Sequence, residues 1–185
     1  MNQPTSEYLV LVDEDDQPVG RIEKLAAHKN GLLHRAFSVL VFNERGQVLL
    51  QRRAEDKYHS GGLWSNACCG HPRPGEVLVS AARRRLHEEM GFDCDLIRIG
   101  GFVYRAELEN GLTEHEFDHV FVGTFDGNVH ANPDEVVDWS WMDIGELRHH
   151  LAADGERFTY WFKQIWTLYA PTFERVQEEG TLNAR

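Results

Sequence analysis

The most constraining stretch of this sequence is a loop rich in glycine and proline that leads directly into a charged helix. The loop reads NACCGHPRPGE, and the residues after it place Val79, Ala82 and Leu86 at helical spacing. Charged residues fill the positions between them, and Gly91 is a typical C-cap. The sequence therefore predicts a helix over residues 76–90 whose apolar stripe packs on another layer of structure.

Alternating apolar residues on both sides of this helix predict a sheet of at least six strands. Residues 36–53 form a predicted hairpin, with Asn43 and Gly46 in its turn NERGQ. Four further strands are predicted, at residues 7–12, 95–106, 116–126 and 135–142. Three connecting segments complete this region: a turn over 13–20, a short helical or irregular segment over 21–30 that ends near Gly31, and a loop without regular structure over 55–75.

The last third of the chain predicts two more helices. Asp143, with Glu146 three residues later, is a capping-box start for the segment IGELRHHL. A second set of large apolar residues repeats at helical spacing: Phe158, Trp161, Phe162, Ile165 and Trp166. Pro171 is expected to kink or end that helix. We expect one domain over residues 1–185, ordered from about residue 5 to about residue 175, with a disordered tail EEGTLNAR.

Composition excludes several classes of function. The formal charge of -11 disfavours binding to nucleic acid or to an anionic membrane, both of which require a basic surface. Three cysteines, two of them adjacent, do not form the framework of a secreted disulfide protein, so a reducing cytoplasm is expected. No run reaches the roughly 18 apolar residues of a membrane span. An anionic ligand would therefore need a local basic pocket.

Three histidines and two glutamates form a candidate metal site. His28 and His34 bracket a short loop, His71 follows the cysteine pair, and Glu114 and Glu116 alternate on a predicted strand. Alternation places both carboxylates on one face of that strand. Imidazoles and carboxylates together suit Zn²⁺, Mn²⁺ or Mg²⁺. The remaining histidines are interpreted as ordinary surface or core residues: His59, His87, His115, His119, His130, His149 and His150.

The spacing around the predicted helix resembles the Nudix box, Gly-x5-Glu-x7-Arg-Glu-apolar-x-Glu-Glu-x-Gly-apolar. The matching residues are Gly70, Glu76, Arg84, Leu86, Glu88, Glu89, Gly91 and Phe92. This resemblance implies an α/β (α+β) Nudix fold, in which mixed β-sheets are sandwiched between helices and the box holds a divalent metal against a diphosphate. One position departs from the pattern, because Arg85 replaces the first glutamate. That change favours holding a diphosphate over cleaving it.

Longer segments make the resemblance more specific. Seven of them resemble type I isopentenyl-diphosphate isomerase: EKLAAH (23–28), LHRAFS (33–38), RRAEDK (52–57), WSNACCGHP (64–72), FVYRA (102–106), ENGLTEHE (109–116) and FTYWF (158–162). The gap between His28 and His34 is slightly shorter than in that family. The resemblance covers nearly all of residues 5–170 and implies an isomerase that interconverts isopentenyl and dimethylallyl diphosphate in isoprenoid biosynthesis.

The same resemblance implies a role for individual residues. It implies Cys69, Glu116 and Tyr104 as catalytic residues, with Cys68 as a bystander. It implies a divalent metal, Mn²⁺, Zn²⁺ or Mg²⁺, held by His28, His34, His71, Glu114 and Glu116, and a Mg²⁺ ion held by Glu89 with the diphosphate. Lys24, Arg53, Lys57 and Arg85 would bind the diphosphate, and Tyr104 and Trp161 would face the isoprenoid carbons. No flavin is implied.

The chemistry of a 1,3 proton shift fits these groups. One group must protonate an alkene and another must remove a proton from the tertiary carbocation that results. Trp161 can stabilise this cation by cation–π attraction worth roughly 2 kcal/mol when desolvated. We favour Glu116, hydrogen-bonded to Tyr104, as the donor and Cys69 as the acceptor, with a thiol pKa lowered by a neighbouring metal, His71 and basic residues.

Two alternatives remain at this stage. One is a Nudix hydrolase that cleaves a nucleoside or sugar diphosphate, against which Arg85 argues. The other is a diphosphate-sensing or protein-binding domain that has kept the scaffold without activity. In each case the expected ligand is a small-molecule diphosphate, with no nucleic acid or membrane partner. The expected protein is a cytoplasmic monomer or weak dimer.

Overall fold

The structure is a computed structural model that describes residues 7–179. Nine strands lie within this range: β1 (Tyr8–Val12), β2 (Pro18–Glu23), β3 (His34–Phe42), β4 (Val48–Arg53), β5 (Trp64–Asn66), β6 (Cys68–Gly70), β7 (Leu96–Glu107), β8 (Thr113–Thr124) and β9 (Val136–Met142). The helices of the same range are α1 (Lys24–Asn30), α2 (Leu78–Met90), α3 (Ile144–Ala153) and α4 (Tyr160–Glu179). The strands join into a single mixed sheet.

Strand β3 organises this sheet. It pairs in parallel with β8 from His34, opposite Glu116, to Phe42. Its other edge meets three antiparallel partners in turn, β1 at the start, β6 in the middle and β4 at the end. Because β3 pairs with four other strands, the sheet curls. The pairing places His34 beside Glu116 and Ser38 beside Cys69, so candidate metal and thiol residues lie in one part of the sheet.

Alternate residues of the central strands are buried on opposite faces of the sheet. Leu40 and Phe42 of β3 pack in a core with Phe162 of α4. Val39 and Val41 point to the opposite face and pack in a second core with Leu86 of α2. Each fully buried side chain of this kind contributes roughly 1.5–3 kcal/mol. The predicted arrangement, a mixed sheet sandwiched between helices, is confirmed.

The strongest local signals of the sequence are confirmed. The side-chain oxygen of Asn43 accepts hydrogen bonds from the backbone N–H groups of Arg45 and Gln47, and this fixes the β3–β4 turn. Gly46 adopts a φ of 73° in that turn. Gly91 ends α2 with a φ of 74°, as expected for a left-handed C-cap. The helix begins at Leu78, two residues later than predicted.

Three short strands were missed in segments that were interpreted as turn or loop. Residues Pro18–Glu23 form β2, although residues 13–20 were predicted as a turn. The segment predicted as a loop without regular structure contains β5 and β6. These strands pair with β1, β4 and β3 respectively. Pairing with strands distant in the sequence outweighs the local Gly, Pro and Ser content.

The two C-terminal helices differ from their predicted ends. Asp143 is the N-cap residue of α3, but within the described structure its side chain makes no capping bond and instead accepts from Gln47 at 3.3 Å. Pro171 lies inside α4, which continues to Glu179. Burial of Phe173, which packs near Phe42 and Trp166, stabilises the helix beyond the proline.

The described residues include the start of the C-terminal segment that was predicted to be disordered. Helix α4 includes Glu178 and Glu179, the first two residues of the segment predicted to be disordered. The rest of that segment, residues 180–185, and residues 5–6 lie outside the described residues. Among the described helices, none has both the length and the apolar character that a membrane span requires.

Candidate active site

Five side chains that are distant in the sequence meet at one buried point. His28 comes from α1, His34 begins β3, His71 follows β6, and Glu114 and Glu116 lie on β8. The imidazole centroids of His28 and His34 are 4.9 Å apart, and those of His34 and His71 are 5.0 Å apart. All five residues are buried. The structure therefore brings together every residue predicted to bind the first metal.

A single glycine makes the close approach of His28 and His34 possible. Gly31 ends α1 in the left-handed conformation, with φ 58° and ψ 38°. The chain then reverses into β3, so the short gap noted in the sequence is sufficient. A side chain at residue 31 would place its Cβ 3.3 Å from Thr113 and from Arg105. Glycine thus satisfies both the conformation and the space at this corner.

The hydrogen bonds of two histidines prepare them to bind a cation. Nδ1 of His28 faces the Lys24 carbonyl at 2.7 Å, and Nδ1 of His34 faces the Leu32 carbonyl at 2.8 Å. A carbonyl only accepts, so each Nδ1 carries the proton and each Nε2 presents a lone pair. Both Nε2 atoms are buried without a hydrogen-bond partner. With His71 and Glu116 their donor atoms lie within 4.8 Å of one another, so this donor set fits a divalent metal.

The two carboxylates of β8 share one phenol. Tyr104 donates its hydroxyl to Glu116 at 2.7 Å and also contacts Glu114. Burial raises the pKa of Tyr104 well above its usual value, and the two carboxylates raise it further. Burial alone would raise the pKa of Glu116, but the nearby imidazoles of His71, at 2.8 Å, and His34, at 3.5 Å, hold it well below the ordinary value. Tyr104 is therefore a neutral donor and Glu116 an anion.

Adjacent cysteines of β6 face opposite sides of the sheet. Cys68 is fully buried in the core beneath α2, whereas Cys69 is half-buried and lines a cavity beside Glu116. The guanidinium of Arg53 lies 3.9 Å from the Cys69 sulfur. Burial raises the pKa of the Cys69 thiol, and the Arg53 guanidinium opposes this effect. The lowering of this pKa by a bound metal stays a prediction.

The cavity beside Cys69 has a volume of about 190 Å³ and is strongly basic on one wall. The residues predicted to bind the diphosphate, with Trp161 and Glu89, all line it: Lys24, Arg53, Lys57 and Arg85. The Arg53 guanidinium lies 5.2 Å from the Trp161 ring centroid. Tyr104 was predicted to face the same space, but it lies behind the carboxylates and packs against Tyr160. The sequence therefore identified one wall of a real cavity.

Helix α2 turns one of its two adjacent glutamates into this cavity. Glu89 is buried and accepts hydrogen bonds from Gln51 at 2.8 Å and from Arg85 at 2.6 Å. Glu88 points to solvent, as the angle of about 100° between neighbouring helical residues requires. Glu76 and Arg84 of the box instead pair with each other at 2.8 Å. Glu89 is the carboxylate of this helix that lines the cavity.

Several residues of the site were missed in the sequence. Glu7 pairs with Lys24 at 2.8 Å, and Glu135 pairs with Lys57 and, at 3.4 Å, with Arg85. These carboxylates pair with three of the four basic side chains of the cavity wall. No local sequence signal identifies them, because each depends on a partner far along the chain.

His59 also requires correction. It was interpreted as an ordinary histidine, but its Nε2 lies 3.0 Å from Glu114 Oε1, inside the cluster. Among the histidines interpreted as ordinary, His115 turns away from the cluster to Gly31, and His119 lies against Asp16. The position of His59 depends on the path of the loop after β4, which brings it to Glu114 of β8, so no local sequence signal predicts it.

Comparison with known proteins agrees with this geometry. The NUDIX domain family matches residues 32–162. A relative from Burkholderia multivorans, named isopentenyl-diphosphate Delta-isomerase, is 57% identical over 156 residues, which cover 84% of this chain and 89% of the relative. The chain belongs to the isopentenyl-diphosphate Delta-isomerase family of Nudix proteins. A second relative, isopentenyl-diphosphate Delta-isomerase 2 from Photorhabdus laumondii, is 53% identical and covers 86% of this chain and 90% of its own length.

Solved structures support the fold of this isomerase family member. A Deinococcus radiodurans protein has a TM-score of 0.66 at 22% identity, covering 80% of this chain and 90% of its own. A Nudix hydrolase from M. smegmatis covers 96% of this chain and 98% of its own, with a TM-score of 0.57 and 18% identity. At these identities the likeness shows the Nudix fold alone. The predicted family, fold and enzyme class are thus confirmed.

Proposed function

We propose that this chain interconverts isopentenyl and dimethylallyl diphosphate by proton transfers from and to Cys69 and Glu116. The observation that carries the proposal is the placement of this thiol and this carboxylate on one cavity, beside an indole and four basic side chains. A proton donor and a proton acceptor are both required, because the two isomers differ only by a 1,3 proton shift. The basic wall suits the diphosphate that both isomers carry.

The proposed reaction needs one protein group that donates a proton to the substrate and a second group that removes one. The donor transfers a proton to the terminal methylene, which breaks the π bond and leaves a tertiary carbocation. The acceptor then removes a proton from the carbon beside the carbinol, and the C–H electron pair forms the new double bond. Each group ends in the opposite protonation state, and exchange with solvent resets the pair. General acid and general base catalysis each contribute roughly 100- to 10,000-fold.

The protonation states in this environment support Cys69 as the donor in the isopentenyl direction. Burial raises the thiol pKa, which favours the protonated thiol, while the neighbouring imidazoles of His34 and His71 outweigh the effect of burial on Glu116 and lower its pKa. The sequence had favoured the reverse order. Tyr104 contacts both Glu114 and Glu116, so we infer that it positions the acceptor rather than transferring the first proton.

The indole of Trp161 and the anionic side of the cavity would stabilise the carbocation. Trp161 is buried, and its Nε1–H donates to Ser65 Oγ at 3.0 Å, which holds the ring in place. An indole face attracts a desolvated cation by roughly 2 kcal/mol. Beside Trp161 the cavity is lined by the buried side chains of Ser38, His71 and Glu116, and this part of it would limit the water that traps the cation as an alcohol.

The diphosphate would replace the carboxylates that now pair with the basic wall. Lys24, Lys57 and Arg85 would release Glu7 and Glu135 to bind phosphate oxygens, and Arg53 would approach from beside Trp161. Glu89 would hold a Mg²⁺ ion that accompanies the diphosphate. Carboxylate and phosphate oxygens are the ligands that Mg²⁺ prefers.

The cluster of histidines and glutamates would hold a separate divalent ion, Mn²⁺, Zn²⁺ or Mg²⁺. The unpartnered Nε2 atoms of His28 and His34 support this assignment. When bound, such an ion supplies positive charge that keeps neighbouring carboxylates ionised. The negative net charge supports a protein that acts on a small molecule and not on nucleic acid or a membrane, and the three free cysteines support a reducing cytoplasm. We propose a monomer or weak dimer.

The experiment that separates an isomerase from a hydrolase uses two substrates side by side. The protein with Mg²⁺ and Mn²⁺ is incubated with isopentenyl diphosphate and, separately, with a nucleoside diphosphate sugar. Proton NMR follows conversion of the first, and phosphorus NMR follows cleavage of the second. We expect dimethylallyl diphosphate and an intact nucleotide sugar. Cleavage of the nucleotide sugar with unchanged isopentenyl diphosphate would overturn the proposal, and no reaction in either would indicate a binding domain.

A further inference from the structure

His59 extends the metal cluster beyond the residues expected from the sequence. Its side chain is 4% exposed and lies in the loop that follows β4. Its Nε2 is 3.0 Å from Glu114 Oε1, and its donor atom lies within 4.8 Å of those of His28 and Glu114. Two donor sets therefore adjoin, one made of His28, His34, His71 and Glu116 and one made of His28, His59 and Glu114.

The two sets share His28, but their donor atoms do not all lie within 4.8 Å of one another, so one ion that binds both sets would draw His59 and Glu114 toward the first set. The lone pair of His28 Nε2 can bind one ion only, because Nδ1 of the same ring is engaged with the Lys24 carbonyl. Tyr104 also joins the sets, since its hydroxyl contacts both Glu114 and Glu116. A cation at the shared histidine would therefore have both carboxylates nearby.

Distances at His59 match those expected between two ligands of one ion. Imidazole nitrogen and carboxylate oxygen bind zinc at about 2.0–2.2 Å, so two ligands at right angles are separated by about 3.0 Å. The contact from His59 to Glu114 has this length, and the contact from His71 to Glu116 is 2.8 Å. The distance from His59 to Glu114 is therefore similar to the distance from His71, an expected ligand, to Glu116.

The second nitrogen of His59 supports the same role. Its Nδ1 lies 3.3 Å from the Ser60 hydroxyl, which can accept a hydrogen bond from Nδ1–H and so leave the Nε2 lone pair directed at the cluster. The backbone carbonyl of His59 accepts from Arg53 at 3.3 Å, and its ring packs edge-on against Trp161 at 5.9 Å. These contacts hold the imidazole in place next to the substrate cavity.

We propose that His59 is a direct ligand of the divalent metal, which gives a site of four imidazole nitrogens and two carboxylates. The proposal rests on the metal site proposed above and extends it by one ligand. Six protein donors suffice for octahedral coordination. Four nitrogens among them favour a borderline ion such as Zn²⁺ or Mn²⁺ over Mg²⁺, which prefers oxygen ligands.

The direct test is to count imidazoles on the bound ion by X-ray absorption spectroscopy of the Zn²⁺-loaded full chain. We expect four imidazoles in the wild-type protein and three in His59→Gln. The exposed His149 on α3 provides a matched control, His149→Gln, which should keep four. Three imidazoles in the wild-type protein would overturn the proposal even if the His59 variant fails to fold.

Metal affinity gives an independent readout that does not depend on turnover. Loss of an outer partner of a metal ligand weakens binding by about 10- to 100-fold, so loss of a direct ligand should weaken Zn²⁺ binding by at least about 100-fold. Competition with a chromophoric chelator measures this in His59→Gln and His149→Gln. Unchanged affinity in both variants would contradict the proposal. Absence of Zn²⁺ binding in the wild-type protein would instead remove the metal site as a whole.

Discussion

At the scale of residues, neighbouring side chains acquire different chemistry from the direction in which they point. Cys68 and Cys69 are adjacent, yet one packs in the core and the other lines the cavity with Glu116. Glu88 and Glu89 divide in the same way between solvent and cavity on α2. Strand geometry therefore selects one thiol from the cysteine pair, and helix geometry selects one carboxylate from the glutamate pair.

The residue-scale role of Tyr104 can be tested by removing its hydroxyl. Tyr104→Phe deletes hydrogen bonds to Glu114 and Glu116, each of which links a phenol to a charged group. Such bonds contribute about 1.5–3 kcal/mol, so turnover should fall by roughly 10- to 100-fold, less than for Cys69→Ala. Steady-state kinetics checks this against Tyr160→Phe, whose ring packs on Tyr104 outside the carboxylate pair. Equal losses in both tyrosine variants would contradict the assigned role.

At the scale of elements, the connection from α1 to β3 determines whether the metal cluster can form. Gly31 gives the left-handed corner that brings His28 beside His34. The parallel pairing of β3 with β8 then sets His34 opposite Glu116. A helix end and a strand register thus assemble ligands that no local motif joins.

Substitution at this corner should separate backbone strain from loss of the site. Gly31→Ala and Gly111→Ala both force alanine into a left-handed conformation, at a cost of roughly 1–2 kcal/mol. Only at Gly31 would the new Cβ also press on Thr113 and Arg105, whereas at Gly111 it meets no atom within 4 Å. We expect similar urea stability in the two variants but metal affinity at least about 10-fold weaker in Gly31→Ala. Equal metal affinity would show that the corner does not position the ligands.

At the scale of the whole molecule, buried histidines outside the site should shape its acid stability. Burial lowers the pKa of His119 to about 4, whereas the unfolded chain has an ordinary histidine. The unfolded state binds the proton first, so this contribution is complete above pH about 6.5 and is lost as pH falls toward about 4. His119→Gln should reduce the loss of unfolding free energy over this window by on the order of 1–2 kcal/mol.

Urea unfolding at pH 7 and pH 4.5 measures this difference. A chelator is added to both proteins so that the histidines of the metal cluster are in the same state in each. Parallel pH profiles for wild type and His119→Gln would contradict the prediction.

Much of the fold was predictable because its signals are local. The Asn43 turn and the Gly91 cap depend on a few neighbouring residues, and both are confirmed. Strands β2, β5 and β6 were missed because partners elsewhere in the chain stabilise them. The sequence resemblance identified the residues of the cluster, but His59 and Glu135 lacked any such signal. Their roles arise only where the loop after β4 meets β8 and α2.

The proposed mechanism requires that one thiol, Cys69, and one carboxylate, Glu116, transfer protons on the same substrate. The measurement is proton NMR of isopentenyl diphosphate with the metal-loaded protein in D₂O, comparing the wild type with Cys69→Ala, Glu116→Gln and the core control Cys68→Ala. The metal content of each variant is measured in parallel, because Glu116 also belongs to the metal cluster.

We expect deuterated dimethylallyl diphosphate from the wild type and from Cys68→Ala. Glu116→Gln should keep the donor, and so should place deuterium on the terminal methylene of isopentenyl diphosphate without forming product. Cys69→Ala should do neither. Near-normal turnover in Cys69→Ala would contradict the account, and exchange in Cys69→Ala but not in Glu116→Gln would reverse the order of donor and acceptor.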